Sequence, residues 1–247
     1  MCLIIALLRP EHDYPLIIGA NRDEAYSRPG EPPRLLSDSP RIWGGRDSVA
    51  GGTWLGISET GLVVAVTNGP KSGHRPDRRS RGLLCLDALK QPNPGVLKDW
   101  LSDEVRRNEY NGFNLLWSDG RNAQVAYWHT ALQIEALQPG LHLLANRPQI
   151  NDSSDQKLNR CFQLLDGIGD LDEPAAVSRM SEVCCDHGKT GENASCIHGD
   201  DGGTLSSTIL SLHRSGISNS RYLHTEGHPC ERDYDDFTKE LFRPDAR

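Results

Sequence analysis

The chain has 247 residues, a formal net charge of -7 and 36% apolar residues. That length is ample for one large domain with its own core. The acidic balance argues against a nucleic-acid binder, and no apolar run reaches the roughly 20 residues of a membrane-spanning helix. The apolar start, Met1 to Leu8, is short and lacks a basic n-region and a small-residue cleavage site, so a signal peptide is not expected. Seven cysteines are not spaced as a small disulfide scaffold, and a reducing cytoplasm is the expected compartment.

Leu3 to Leu8 and Pro15 to Ala20 read as two buried strands of a hairpin, turning at Glu11-His12-Asp13-Tyr14. The polar tetrad Asn21-Arg22-Asp23-Glu24 follows. Ser27 to Asp47 carries four prolines and little periodicity, which predicts a long ordered loop. Strands are predicted over Thr53 to Ser58 and Leu62 to Asn68, then a basic loop from Lys71 to Arg81. Gly82 to Lys90 and Gly95 to Arg107 have helical spacing, with Leu97, Leu101 and Val105 on one face. Gly112 to Ser118, Ala123 to His129, Leu132 to Leu137 and Leu141 to Ala145 form a predicted meander, with Asp119-Gly120 and Pro139-Gly140 as turns. Two further helices are expected over Asp155 to Leu165 and Pro174 to Cys185. Closing strands are expected over Thr204 to Leu212 and Tyr222 to Thr225, and a terminal helix over Asp233 to Phe242. Strands interrupted by paired helices imply an α+β fold of two packed, mostly antiparallel sheets with helices outside, in a single domain over residues 1–247.

The chemistry concentrates at the start of the chain. Cys2 is small enough for methionine aminopeptidase to expose it. A terminal cysteine supplies a thiol and, close by, an α-amine of pKa about 7.7–8.0 that can take its proton. The alternative is a buried, inert strand cysteine. Three strand ends shift the balance toward chemistry. The tetrad at 21–24 closes the strand paired with Cys2. Gly61 to Gly69 ends a buried strand on Asn68, where an amide can donate to an oxyanion or cap an Asn-Gly turn. Leu143 to Pro148 ends another buried strand on Asn146.

Met1-Cys2, Asn21-Arg22-Asp23-Glu24, Gly51-Gly52-Thr53-Trp54-Leu55-Gly56, Ala65-Val66-Thr67-Asn68 and Ser206-Ser207-Thr208 resemble the NRDE family, which includes the transport and Golgi organisation protein 2 group. The resemblance implies a four-layer αββα sandwich similar to N-terminal-nucleophile hydrolases. More remotely it implies kinship with the choloylglycine hydrolase and acid ceramidase group, which cleave amide bonds with an N-terminal cysteine. It implies Cys2 as nucleophile, Asp23 as the acid that holds amine and thiol, and Asn68 and Asn146 as oxyanion amides. The arginine those hydrolases carry three residues before the acid is Ala20 here. Arg22 is the nearby candidate. Side chains alternate along a strand, so with Asp23 on the Cys2 face Arg22 is expected there only if the backbone bulges. Leu205 stands where the family pattern has arginine before Ser-Ser-Thr.

The resemblance thus points to an amidohydrolase-like enzyme acting on an amide or thioester of a small or lipid-like acyl substrate. The alternative on the same scaffold is a binding or transfer protein for a hydrophobic anion, haem-like or acyl-CoA-like; the family has been associated with haem handling. Asn21, Trp54 and Arg75 are candidate ligand contacts. Lys71, His74, Arg75, Arg78, Arg79 and Arg81 form either a solvated loop or a rim that attracts an anion. Cys184, Cys185, His187, Cys196 and His198 carry donors that suit zinc, but adjacent cysteines are not a C-x₂-C pair, and no metal and no cofactor are expected.

Overall fold

Leu3–Leu8 (β1) and Leu16–Ala25 (β2) form the expected hairpin, with Leu3 opposite Asn21 and Leu8 opposite Leu16. The computed structural model describes residues 2–70, 75–189 and 193–242. β2 runs ten residues, so the tetrad at 21–24 lies inside the strand rather than after it.

Ser27 to Asp47 is not a loop. It holds Gly30–Asp38 (β3) and Arg41–Asp47 (β4), paired antiparallel. Proline cannot donate to a ladder and is confined to edges and bulges. Here β3 is the sheet's edge, and its register shifts between Glu31 and Arg34, across Pro32 and Pro33. Leu55–Ser58 (β5), Val63–Asn68 (β6), Phe113–Ser118 (β7), Ala123–Trp128 (β8) and Leu132–Ala136 (β9) complete a seven-stranded sheet in the order β3-β4-β5-β6-β7-β8-β9.

Gly140–Leu144 (β10) departs from the expected meander. β9 is half-buried to exposed along its length and forms the sheet's other edge, whereas β10 crosses over and pairs with β1, Ile4 opposite Leu144. Gly202–Leu212 (β11) pairs with β2, and Arg221–Glu226 (β12) and Asp235–Asp236 (β13) follow, giving the second sheet the order β10-β1-β2-β11-β12-β13. The terminal segment is that short strand plus a helix over Thr238–Phe242 (α5), not one continuous helix.

Alternation along β1 and β2 sorts the core. Ile4, Ala6, Leu8, Leu16, Ile18 and Ala20 pack between the sheets against Trp43, Ile57, Ala65 and Leu116. Leu3, Ile5, Leu7 and Ile17 face outward onto Leu158 and Cys161 of Gln156–Leu164 (α3) and Met180 and Val183 of Glu173–Cys184 (α4). On the opposite side Val64, Leu115 and Trp117 meet Leu84 of Arg81–Ala88 (α1) and Leu97 and Leu101 of Pro94–Arg107 (α2). The result is the four-layer αββα sandwich. Among the described residues no helix is long and apolar enough to cross a membrane.

Candidate active site

Cys2 sits where β1 begins, and its neighbours follow from register. Continuing the β1–β10 ladder two residues places Asn146 opposite Cys2. Continuing the β1–β2 ladder one residue places Arg22 opposite it on the other side. The Cys2 backbone nitrogen donates to Asn146 Oδ1 at 3.1 Å. Opposed residues of an antiparallel pair share a face. Cys2 and Arg22 therefore point between the sheets, continuing the row of Ile4 and Ala20, and both line one cleft of about 350 Å³.

This reverses the expectation for the tetrad. Arg22 shares the Cys2 face with no bulge in β2, and it is the Asp23 side chain that turns to the helix-covered face. The Asp23 backbone carbonyl still accepts from the Cys2 thiol at 3.9 Å. Its carboxylate Oδ1 accepts from Thr204 Oγ1 at 2.7 Å. A bulge between Thr204 and Ser206 sets Thr204, rather than Leu205, opposite Asp23, and a bulge of that kind re-aims a side chain. Burial raises the Asp23 pKa, opposed by the charge of Lys157, itself 4% exposed. Burial also raises the Cys2 thiol, and the Asp23 carboxylate adds to that. The Cys2 thiol is thus held in its neutral form, and a base would be needed to make it a nucleophile.

Asn21 is not a cleft residue. It shares the outward face with Asp23, and its Nδ2 donates to the carbonyls of Cys184 and Ser195 at 2.9 Å each, tying the end of α4 to β2. Asn68, the last residue of β6, does line the Cys2 cleft, as do Trp54 and Arg75. The Arg22 guanidinium lies 4.7 Å above the Trp54 ring. Trp54 fits there because Gly45 has no side chain: a Cβ would stand 2.5 Å from the indole. Gly52 serves a similar end, since a Cβ there would be 2.1 Å from the backbone of Gly82. That close approach seats the first turn of α1, capped by Ser80, on the wall of the cleft.

The cleft is rich in arginine, but most of it is already neutralised. Arg28 pairs with Asp47 at 2.5 Å, Arg75 with Asp77 at 2.9 Å, and Arg79 with Asp87 at 2.5 Å. Arg22 and Arg81 differ. Among the described residues neither has a carboxylate partner. Arg22 donates to the Arg28 carbonyl at 2.9 Å and Arg81 to the Gly112 carbonyl at 3.1 Å. Arg22 is 5% exposed, and its Nη1 is buried without a hydrogen-bond partner. Burial lowers both pKa values; the charges of Asp47 and Glu24 oppose it at Arg22, and the charge of Arg28 adds to it at Arg81. Lys71 and His74 of the basic loop lie outside the described residues.

Two residues bridge the sheets beneath the two amides. Asn114 Nδ2 donates to Thr67 Oγ1 at 3.2 Å, to the Ala145 carbonyl at 3.0 Å and to the Arg147 carbonyl at 3.0 Å. Thr67 Oγ1 also donates to the Ala145 carbonyl at 3.2 Å. Strand ends that carry Asn68 and Asn146 are thereby locked together across the cleft. Asn114 and Thr204 are the residues that sequence reading did not single out for these roles, whereas Arg81 belonged to the expected basic rim. Asn114 had a visible signal, one amide in the apolar run from Phe113 to Trp117. Thr204 had none, because its role depends on a bulge.

The five zinc-suited residues separate. Cys184 is buried on α4, its Sγ 3.8 Å from where a Cβ on Gly19 would stand. Cys185 donates to the Pro229 carbonyl at 3.1 Å. His187, Cys196 and His198 converge instead with Cys230.

A thiol at the head of a central strand, held between two opposed sheets with helices outside, is the arrangement of an N-terminal-nucleophile fold. Comparison with known proteins agrees. The family model for transport and Golgi organisation 2 matches residues 1–220, and the chain belongs to that family. It is 34% identical over 158 residues to the mouse (Mus musculus) transport and Golgi organization 2 homolog, covering 59% of this chain and 57% of the relative. The human (Homo sapiens) homolog is 32% identical over the same coverage. The matched stretch thus spans little more than half of those relatives. Among solved structures, the N-acylethanolamine-hydrolyzing acid amidase ortholog of Caenorhabditis elegans superposes with a TM-score of 0.56 at 14% identity, covering 98% of this chain and 97% of that one. A variant of conjugated bile acid hydrolase from Clostridium perfringens gives 0.55 at 15%, covering 98% and 94%. At such identities the likeness concerns the fold.

Proposed function

We propose that the protein is a cysteine amidohydrolase of the N-terminal-nucleophile type, acting on an amide or thioester whose acyl or leaving portion carries a negative charge. The observation that carries this reading is the hydrogen bond from the Cys2 nitrogen to Asn146, beside a thiol that opens onto a cleft with two arginines that have no carboxylate partner among the described residues. Removal of Met1 would turn that nitrogen into an α-amine already oriented by Asn146. The amine takes the proton from Sγ, and the sulfur attacks the carbonyl carbon. The Asn68 amide, and Asn146 Nδ2 once Oδ1 is engaged by the amine, donate to the developing oxyanion. The ammonium returns its proton to the departing amine or thiol. Water then hydrolyses the thioester to release the acid. Asp23, whose charged form Lys157 favours against burial, would hold the amine in place once ionised. Arg22 and Arg81 bind the substrate's anionic group, and Trp54 offers it an apolar surface.

A second reading keeps the cleft and drops the chemistry: a carrier for a hydrophobic anion. The arginine-lined wall favours it as much as it favours an anionic substrate. Cys2→Ser separates the two. For an enzyme the substitution abolishes turnover and leaves affinity nearly unchanged, because the thiolate acts in the transition state while the cleft walls act in both states. For a carrier, transfer continues at close to the wild-type rate.

A further inference from the structure

We propose that His187, Cys196, His198 and Cys230 form a four-ligand site for a zinc-type transition-metal ion, which clamps the two ends of the α4–β11 connection to the β12–β13 connection behind Asp23. All four donor atoms lie within 4.8 Å of one another. His187 Nε2 is 3.3 Å from His198 Nε2, Cys196 Sγ is 3.6 Å from His198 Nε2 and 3.5 Å from Cys230 Sγ, and His198 Nε2 is 3.2 Å from Cys230 Sγ. Zinc binds thiolate at about 2.3 Å and imidazole at about 2.0–2.1 Å in a tetrahedron. The corresponding edges are about 3.8 Å between sulfurs, about 3.6 Å between sulfur and nitrogen and about 3.3 Å between nitrogens. The four measured edges lie close to those lengths.

Hydrogen bonding among the four groups does not account for the convergence. An imidazole nitrogen offers one proton or one lone pair in the ring plane, yet His198 Nε2 faces three donor atoms at once. A shared cation satisfies all of them. Two thiolates and two imidazoles are soft to borderline donors that suit zinc rather than calcium or magnesium. Four protein ligands close the coordination shell, which is the pattern of a structural rather than a catalytic site. Glu231 Oε1 stands 3.9 Å from His198 Nδ1, the ring nitrogen opposite the donor, longer than a hydrogen bond but on the side from which an outer carboxylate orients a ligating histidine.

The four ligands come from two connections, one of which contributes at both of its ends. His187 follows α4, Cys196 and His198 precede β11, and Cys230 follows β12. The end of the α4–β11 connection that carries Cys196 and His198 reaches the candidate active site directly. Ser195 accepts from Asn21, the backbone and hydroxyl of Thr204 bond to Ile197, and that same hydroxyl donates to Asp23. A metal here would fix the strap that aims Thr204 at the carboxylate.

The test uses the full chain purified under reducing conditions without chelator. Elemental analysis is expected to find about one zinc per chain. Protein stripped and reloaded with cobalt(II) should show tetrahedral d–d bands and a thiolate-to-cobalt charge-transfer absorption. Cys230→Ser and His187→Ala should each lose most of the zinc, while Cys185→Ser, next to the cluster but not of it, should keep it. His187 is exposed, so its variant stays informative should Cys230→Ser fail to fold. Two results would overturn the site: no zinc uptake by reduced wild-type protein, including the case where Cys196 and Cys230 are found only as a disulfide pair, or uptake equal in wild type, Cys230→Ser and His187→Ala.

Discussion

Cys2 and Arg22 are two side chains on one sheet face, and their environments assign them different tasks. The Cys2 thiol is held protonated by burial and by Asp23, so its reactivity depends on a neighbouring base rather than on intrinsic acidity. Arg22 is charged, buried and only partly hydrogen-bonded. A hydrogen bond to a charged group contributes about 1.5–3 kcal/mol, so Arg22→Gln is expected to weaken binding of an anionic ligand by roughly 10- to 100-fold. Isothermal titration at two salt concentrations would check both that loss and its electrostatic origin. Asp23 sets a pH dependence. Its folded pKa is raised by burial and lowered by Lys157. To orient an amine it must be ionised, so the acid limb of kcat/KM should lie above the ordinary carboxylate range. Lys157→Met removes the opposing cation, and the limb should then move to higher pH. A profile unmoved by that substitution would disconnect Asp23 from the reaction. The same shift has a stability sign. A raised folded pKa means the native state holds the proton more tightly, so Asp23 contributes stability below its unfolded pKa that is lost as pH rises through the folded one.

At the scale of elements, the site is made by strands that end together. β6 and β10 belong to different sheets, and the Asn114 amide holds their ends by three hydrogen bonds. Asn114→Ala takes the Asn114 donor from the Arg147 carbonyl and leaves the Ala145 carbonyl with Thr67 Oγ1. A group left without its donor costs about 1–3 kcal/mol, so the variant's unfolding free energy from denaturant titration should fall by about that much. It should also lose activity beyond what its stability explains, because Asn68 and Asn146 would no longer be fixed across the cleft. Most of these elements were legible in the sequence, since alternation and helical spacing report burial directly. β1, β6, β7, β8 and the four longer helices fall within a few residues of their expected bounds. What could not be read were the places where pairing overrides local pattern. Prolines at 32 and 33 argued for a loop, yet an edge strand with a shifted register accommodates them. Turn chemistry after Leu137 argued for a fourth meander strand, yet β10 pairs with β1, and that crossover is what brings Asn146 to Cys2. The face of the tetrad was misassigned for a related reason. Alternation correctly separated Arg22 from Asp23, but which of the two shares a face with Cys2 depends on a register the sequence does not state. Asn21, offered as a ligand contact, turned to the outer face by the same rule.

For the whole molecule, family membership and fold leave the activity to be decided by the site, because one scaffold can serve several functions. The central claim is that Cys2, freed of Met1, forms an acyl-enzyme. Intact-mass analysis of the protein purified from its native host, before and after exposure to a panel of anionic acyl-amide and acyl-thioester probes, tests it most directly. The account expects a starting mass that lacks methionine, a single acyl increment that maps to Cys2 and decays with hydrolysis, and no increment in Cys2→Ser. Active protein that retains Met1 would contradict it. So would wild-type protein that forms no adduct across the panel while binding one equivalent of an anionic hydrophobe in the same cleft.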